Sequence, residues 1–244
     1  MRSRFLGRLG PADAVTVGNA ALGFLAVVAV TVDIGLAARL VLLGAIADGL
    51  DGVVARKYGG TEAGPYLDSL ADVATFGVAP AFLVAVVSLR EWGTPASLLS
   101  GLSADGLLAL AGVAVPALYV AAAVTRLGLY TAYDSDSDET VGVPTTLAAT
   151  IFGAIVLTGY RSSETVLVGF HDAGFLLALA AVLTPLMLCD VVYPDLHAQD
   201  ALVMGVVQAG AILLPGLYGR GFAFGLLYLA LAYLVLGPVL YWRR

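Results

Sequence analysis

Eight apolar stretches of roughly membrane-spanning length run through the chain, at 13–33, 35–57, 64–89, 104–132, 143–160, 173–192, 198–216 and 220–241. About 20 apolar residues in a helix cross a bilayer's hydrocarbon core. In hydrocarbon each segment must satisfy its own backbone N–H and C=O groups, which leaves the helix as the available conformation for such stretches. The breaks carry the residues that stop helices: Asp33-Ile-Gly35, Gly59-Gly60, Gly93-Thr-Pro95, the run 134–139, Arg161-Ser-Ser and Tyr193-Pro194-Asp195. With 60% of its 244 residues hydrophobic and 12% charged, the chain is expected to be all-α, a polytopic transmembrane bundle of about eight spans forming one domain over 1–244. The count falls to six or seven if 143–160 or 198–216 only dips into the membrane. No convincing cleavage site follows the first stretch, so it is read as a retained span. The single cysteine, Cys189, excludes a disulfide framework.

Charge orients the bundle. Eight spans place both termini on one side, with Arg2, Arg4, Arg8, Arg56, Lys57, Arg126, Arg243 and Arg244; Arg39, Arg90, Arg161 and Arg220 lie on the other. By the positive-inside rule the former side is cytoplasmic. Arg2, Arg4 and Arg8 beside Phe5, Leu6 and Leu9 suit a short N-terminal interfacial segment. The net charge of −6 and the run Asp134-Ser-Asp136-Ser-Asp138-Glu139 exclude nucleic acid as a partner. An acid-rich, lysine-poor surface suits concentrated salt, so a halophilic source is expected.

Four acids stand where no charge is expected. Asp48 and Asp51, at i, i+3, belong to the second stretch, and Asp68 and Asp72, at i, i+4, to the third. Each pair shares a helix face. The short connection from Lys57 to Ala63 makes the two helices antiparallel neighbours, so both pairs can face one space. A charge at mid-bilayer costs about 2.5–3.5 kcal/mol even on the lenient scale. Four together need a counter-charge, and hard divalent cations, Mg²⁺ or Mn²⁺, prefer oxygen ligands. Two ions offset four carboxylates better than one and suit phosphate chemistry. Gly44, Gly49, Gly52 and Ala55 leave backbone open beside the acids, for close helix packing or for a bulky ligand. Arg56 is either a two-pronged phosphate ligand or a snorkelling anchor. Asp190 reads as interfacial, and His171 and His197 have no ligand spacing.

Asp48-x2-Asp51-Gly52-x2-Ala55-Arg56, followed by Gly64-x3-Asp68-x3-Asp72, resembles the signature of the CDP-alcohol phosphotransferases at every fixed position. Seven residues rather than eight separate Arg56 from Gly64. The stretch Leu67 to Pro80 and Thr16-Val-Gly-Asn19 are similar to the CDP-lipid:serine transferases within that family, the phosphatidylserine synthases of bacterial and archaeal type. Arg126-Leu is similar to the start of their R-L-A-R-F-N block, although Leu129 and Thr131 replace its second arginine and its asparagine. Gly142-Val-Pro144 and Tyr193-Pro194 are similar to two further landmarks.

The resemblance implies an enzyme that transfers a lipid phosphate group from a CDP-lipid to an alcohol, serine being favoured, and releases CMP. It implies metal ligation by Asp48, Asp51, Asp68 and Asp72, with Asp72 also the base, and a homodimer. Gly52, Ala55, Arg56 and Gly64 would admit the CDP-lipid. Thr16 and Asn19 would add hydrogen bonds to it or serve helix packing, and Arg126 would hold the acceptor. A halophilic, archaeal source would make the product archaetidylserine. Glycerol 3-phosphate or inositol phosphate is the alternative acceptor; a cation or proton transporter is the alternative of another class.

Overall fold

Helices follow one another along the chain in the order those apolar stretches predict. A computed structural model describes residues 6–94, 104–134, 139–159, 172–194 and 198–240. Among them, α1 (Pro11–Val32), α2 (Ile34–Tyr58), α3 (Gly64–Asp72), α4 (Ala79–Trp92), α5 (Ala104–Leu129), α6 (Thr145–Leu157), α7 (Asp172–Met187), α8 (Ala198–Leu213) and α9 (Gly216–Leu240) form the bundle. Residues Gly64–Trp92, Pro11–Val32, Ala104–Tyr133 and Gly216–Val239 are each long and apolar enough to cross a membrane. Shorter apolar helices cover Thr145–Leu157, Ala173–Met187 and Gln199–Leu213. Helix α2 matches the spanning group in length, at 25 residues, and carries Asp48, Asp51, Arg56 and Lys57.

Helix α6 explains why stretch 143–160 is short. It is buried along almost its whole length, from Thr145 to Ile155, as an all-round apolar helix should be. Leu147, Ala148, Ile151, Phe152 and Ile155 join Val84, Tyr119, Ala123 and Leu183 in the main core. Large apolar side chains such as Phe24, Leu202, Leu217 and Tyr228 point outward, where lipid would meet them.

Three features were not expected. A π-helical turn, Val73–Val78, joins α3 to α4 in one continuous helix. Pro80 has no amide to offer the carbonyl of Phe76 four residues back; the Tyr119 hydroxyl donates to that oxygen instead, at 3.2 Å. Secondly, α7 ends at Met187, five residues before the apolar stretch does. The chain then forms strand β2 (Val192–Pro194), antiparallel to β1 (Glu139–Val141), with Thr140 opposite Tyr193. Asp190 lies exposed beyond the helix end, in keeping with its interfacial reading. Thirdly, Gly142 after β1 has φ 77°, and a Cβ there would lie 2.2 Å from the carbonyl oxygen of Met187. Only glycine fits that approach. The Gly142-Val-Pro144 and Tyr193-Pro194 landmarks are therefore neighbours in space. Of the N-terminal interfacial segment, Leu6–Arg8 is a 3₁₀ turn. Residues 1–5, His171 and His197 lie outside the described residues.

Candidate active site

Asp48 and Asp51 occupy the last turns of α2, and Asp68 and Asp72 stand on α3 beyond a short turn. That turn begins at Gly59, whose φ of 89° and amide bond to the Ala55 carbonyl close α2. It is then tied down by Asp13 near the start of α1. The carboxylate of Asp13 is 1% exposed and accepts from the Gly10 amide at 2.7 Å and from the Thr61 hydroxyl at 2.9 and 3.0 Å. So one buried acid fixes the α2–α3 turn against α1, beside Gly64.

Asp48, Asp68 and Asp72 converge: one carboxylate oxygen from each lies within 4.8 Å of the others. Asp51 stands outside this threesome. It is buried, and its Oδ2 accepts from the Thr16 hydroxyl of α1 at 2.6 Å. Asp72 is 6% exposed, and its Oδ1 has no hydrogen-bond partner among the described residues. A buried, unpartnered carboxylate oxygen is costly. Asp72 and the two acids beside it, Asp48 and Asp68, fit a hard divalent cation, since the donor set is entirely carboxylate oxygen.

One hydroxyl from another helix reaches this centre, and a second pair ties α3 to the end of α5 beside it. Thr146, in the first turn of α6, donates to Asp48 Oδ2 at 3.5 Å. Ser69, next to Asp68, makes a short hydrogen bond with Thr131 and also reaches the Leu127 carbonyl. Thr131, one of the two positions that depart from the arginine-led block, thus bears on the site. Arg126 is buried at 8% exposure. Its Nη2 donates to Thr140 of β1 at 3.4 Å, its Nε has no hydrogen-bond partner among the described residues, and Asp72 lies close enough to act on it electrostatically. A buried guanidinium so placed is no surface anchor.

The remaining expected residues divide by depth. Gly52 and Ala55 are half-buried and Arg56 is exposed. The Arg56 Nη1 lies 3.5 Å from where a Cβ on Gly52 would sit, so the cation folds over that glycine. Asn19 is wholly buried, between Gly44 of α2 and Thr75 of the π turn, and Thr75 donates to its backbone carbonyl at 2.8 Å. Asp13, Thr61, Ser69, Thr131 and Thr146 were not singled out in the sequence for the site. Hydroxyls on helices are ordinary in membrane bundles, and no spacing rule marks them.

Comparison with known proteins defines the class. Residues 10–187 match the family model for CDP-alcohol phosphatidyltransferases, and the chain belongs to that family of membrane transferases. An archaetidylserine synthase from Methanothermobacter thermautotrophicus is 28% identical over 195 residues, spanning 78% of this chain and 71% of that protein. A CDP-diacylglycerol–serine O-phosphatidyltransferase from Mycobacterium tuberculosis is 28% identical over 197 residues, 73% of this chain and 62% of its own length. Its counterpart from Methanocaldococcus jannaschii is 44% identical over 73 residues, 30% of this chain and 33% of that protein. Together the family and the apolar helices make this an integral membrane protein, and family membership sets the transporter reading aside.

Proposed function

We propose that this chain transfers a phosphatidyl-type group from a CDP-linked lipid to the hydroxyl of L-serine, releasing CMP. The observation that carries the reading is the convergence of Asp48, Asp68 and Asp72, with the guanidinium of Arg126 buried in the same bundle. The serine specificity named for its relatives supports the acceptor. We read residues 1–244 as a single domain, with α8 held to the matched region through Gln208, which donates to the Leu42 carbonyl, and α9 through Leu226, which packs with Leu42 and Ala154.

Asp48, Asp68 and Asp72 would hold divalent metal, Mg²⁺ or Mn²⁺, and Asp51 would complete a two-ion set. When bound, the metal neutralises the diphosphate and the CMP that leaves. Asp72 accepts the proton of the serine hydroxyl, whose oxygen attacks the lipid-bearing phosphorus while the bond from that phosphorus to the CMP oxygen breaks. Arg126 pairs with the serine carboxylate, and a planar fork suits that partner. Gly52, Ala55, Arg56 and Gly64 border the turn side of the cluster, where the nucleotide would enter; Thr16 positions Asp51 there. The same sequence bias that suggests a halophile favours an archaeol-based lipid, and with it archaetidylserine as product. The positive-inside count puts the site and both termini at the cytoplasmic face.

Purified protein supplied with a CDP-lipid, Mn²⁺ or Mg²⁺ and a panel of alcohols tests this by CMP release. Release is expected with serine. Release with glycerol 3-phosphate or inositol phosphate and none with serine overturns the acceptor. Those acceptors carry a phosphate dianion that favours a more basic pocket than Arg126 and Arg56 supply.

A further inference from the structure

Far from the aspartates, near the start of α2, the helices α2, α6, α8 and α9 enclose a cleft of about 410 Å³. Two arginines from distant parts of the sequence line it, Arg39 of α2 and Arg220 of α9, and among the described residues its lining carries no acid. Arg39 stands nine residues before Asp48 on the same helix, about 13 Å along the axis, so this cleft is separate from the catalytic cluster.

Each guanidinium is held in place by a backbone carbonyl. Arg39 Nε donates to Ile212 at 3.2 Å, and Arg220 Nη2 donates to Gly159 at 3.4 Å. A guanidinium has five N–H donors, so these bonds position the cations without consuming them. The neighbouring acid, Asp33, has its Oδ1 engaged by the amides of Gly35 and Leu36. Helix α9 begins at Gly216 on the cleft wall, adding the positive end of its dipole. Two cations and a helix start around one hollow, with Asp33 beside Arg39 as the neighbouring counter-charge, leave a net positive site that favours an anion.

The apolar wall decides which anion. Leu217 and Leu214 line the cleft and are 82% and 39% exposed, and Leu213 and Tyr218, next to them in the chain, are 77% and 78% exposed, the apolar and aromatic side chains found where a bundle meets lipid. A free phosphate would gain nothing from them, whereas a phospholipid would lay its chains there and its phosphate between the arginines. We propose that the Arg39–Arg220 cleft is a headgroup site for an anionic phospholipid, at the end of the bundle away from the aspartates.

The full chain, purified in neutral detergent with CDP in excess at the catalytic site, is titrated with phosphatidylglycerol, phosphatidylcholine and inorganic phosphate. Bound lipid is counted by native mass spectrometry. One phosphatidylglycerol should bind to the wild type about tenfold more tightly than to Arg220→Gln, as expected for loss of a charge-assisted bond. The loss should be larger in the Arg39→Gln/Arg220→Gln pair, and smaller in Arg220→Lys, which keeps charge without the fork. Phosphatidylcholine should bind all of them equally weakly. Arg220 is exposed, so its single variants should keep wild-type CMP release and carry the test even if the pair fails to fold. Equal phosphatidylglycerol binding by wild type and Arg220→Gln overturns the proposal. Inorganic phosphate displacing the lipid mole for mole would make this a free-phosphate site and overturn it as well.

Discussion

Asp72 combines two properties that pull against each other: deep burial and an oxygen without a hydrogen-bond partner among the described residues. A side chain in that state is tolerable only when something else meets it, and the cation site and the acceptor hydroxyl are the candidates. Asp72→Asn keeps the shape and removes the base, so CMP release should fall about 10²–10⁴-fold while the melting temperature holds or rises. Unchanged turnover would remove Asp72 from the mechanism. Thr16 tests the fourth acid. Its hydroxyl orients Asp51, and loss of a ligand's orienting partner typically costs 10–100-fold in metal affinity or activity. Thr16→Val should therefore weaken Mn²⁺ binding by about that factor, read by electron paramagnetic resonance of the free ion; wild-type affinity would show that Thr16 positions no metal ligand. The aspartates were legible in the sequence because charge in a span is expensive and therefore conspicuous. Thr16 was legible through its motif, but its bond to Asp51 was not, since the register of α1 against α2 is a tertiary fact.

Helix edges show where legibility stops. The starts of α2 and α3 fall within a residue of the apolar stretches because Gly, Pro and Asp mark them. Neither the π turn nor the β1–β2 pair had a signal: one is a register change inside unbroken apolar sequence, and three-residue strands are too short for alternation to show. The π turn matters to the site because it follows Asp72 directly and holds Thr75 against α1. There, a Cβ on Gly44 would approach Thr75 Cγ2 to 2.4 Å and the Asn19 Oδ1 to 2.8 Å. Gly44→Ala should thus force α2 away from that seam, costing about 1–3 kcal/mol by overpacking and lowering CMP release through the shifted Asp48. Thermal melting and turnover measured together check this; an unshifted melting temperature would mean the seam yields freely. The turn between α2 and α3 depends on a different device. Asp13→Ala removes an acceptor used by Gly10 and Thr61 and frees the turn beside Gly64. The expected result is a raised KM for the CDP-lipid with a smaller change in kcat. A fall in kcat alone would argue that Asp13 does not act through the turn.

Across the whole molecule, the aspartate cluster and the Arg39–Arg220 cleft sit toward opposite ends of α2, and the proposed orientation would assign each to one membrane face. Described cations follow the same division: Arg8, Arg56 and Lys57 near the aspartate end, Arg39, Arg90 and Arg220 near the other. Arg126 belongs to the first group by level but is buried over the site, so it weighs less as an anchor than the sequence count allowed. The alternation of helices argues the rest. Glu62 follows α2 and Asp190 follows α7, so they share a face if every helix between them crosses; Leu217 opens α9 from the opposite face. All three are exposed. In a chain whose native Cys189 is replaced by serine, single cysteines at Glu62, Asp190 and Leu217 should separate cleanly under a membrane-impermeant maleimide. In intact cells Leu217→Cys should react, whereas Glu62→Cys and Asp190→Cys should react only after the membrane is opened. Reaction of Glu62→Cys from outside would invert the orientation. Reaction of Asp190→Cys from outside with Glu62→Cys protected would mean that one of the intervening helices fails to cross, and the short, largely buried α6 is the first to suspect, since its burial is satisfied by neighbouring helices whether or not it reaches both faces.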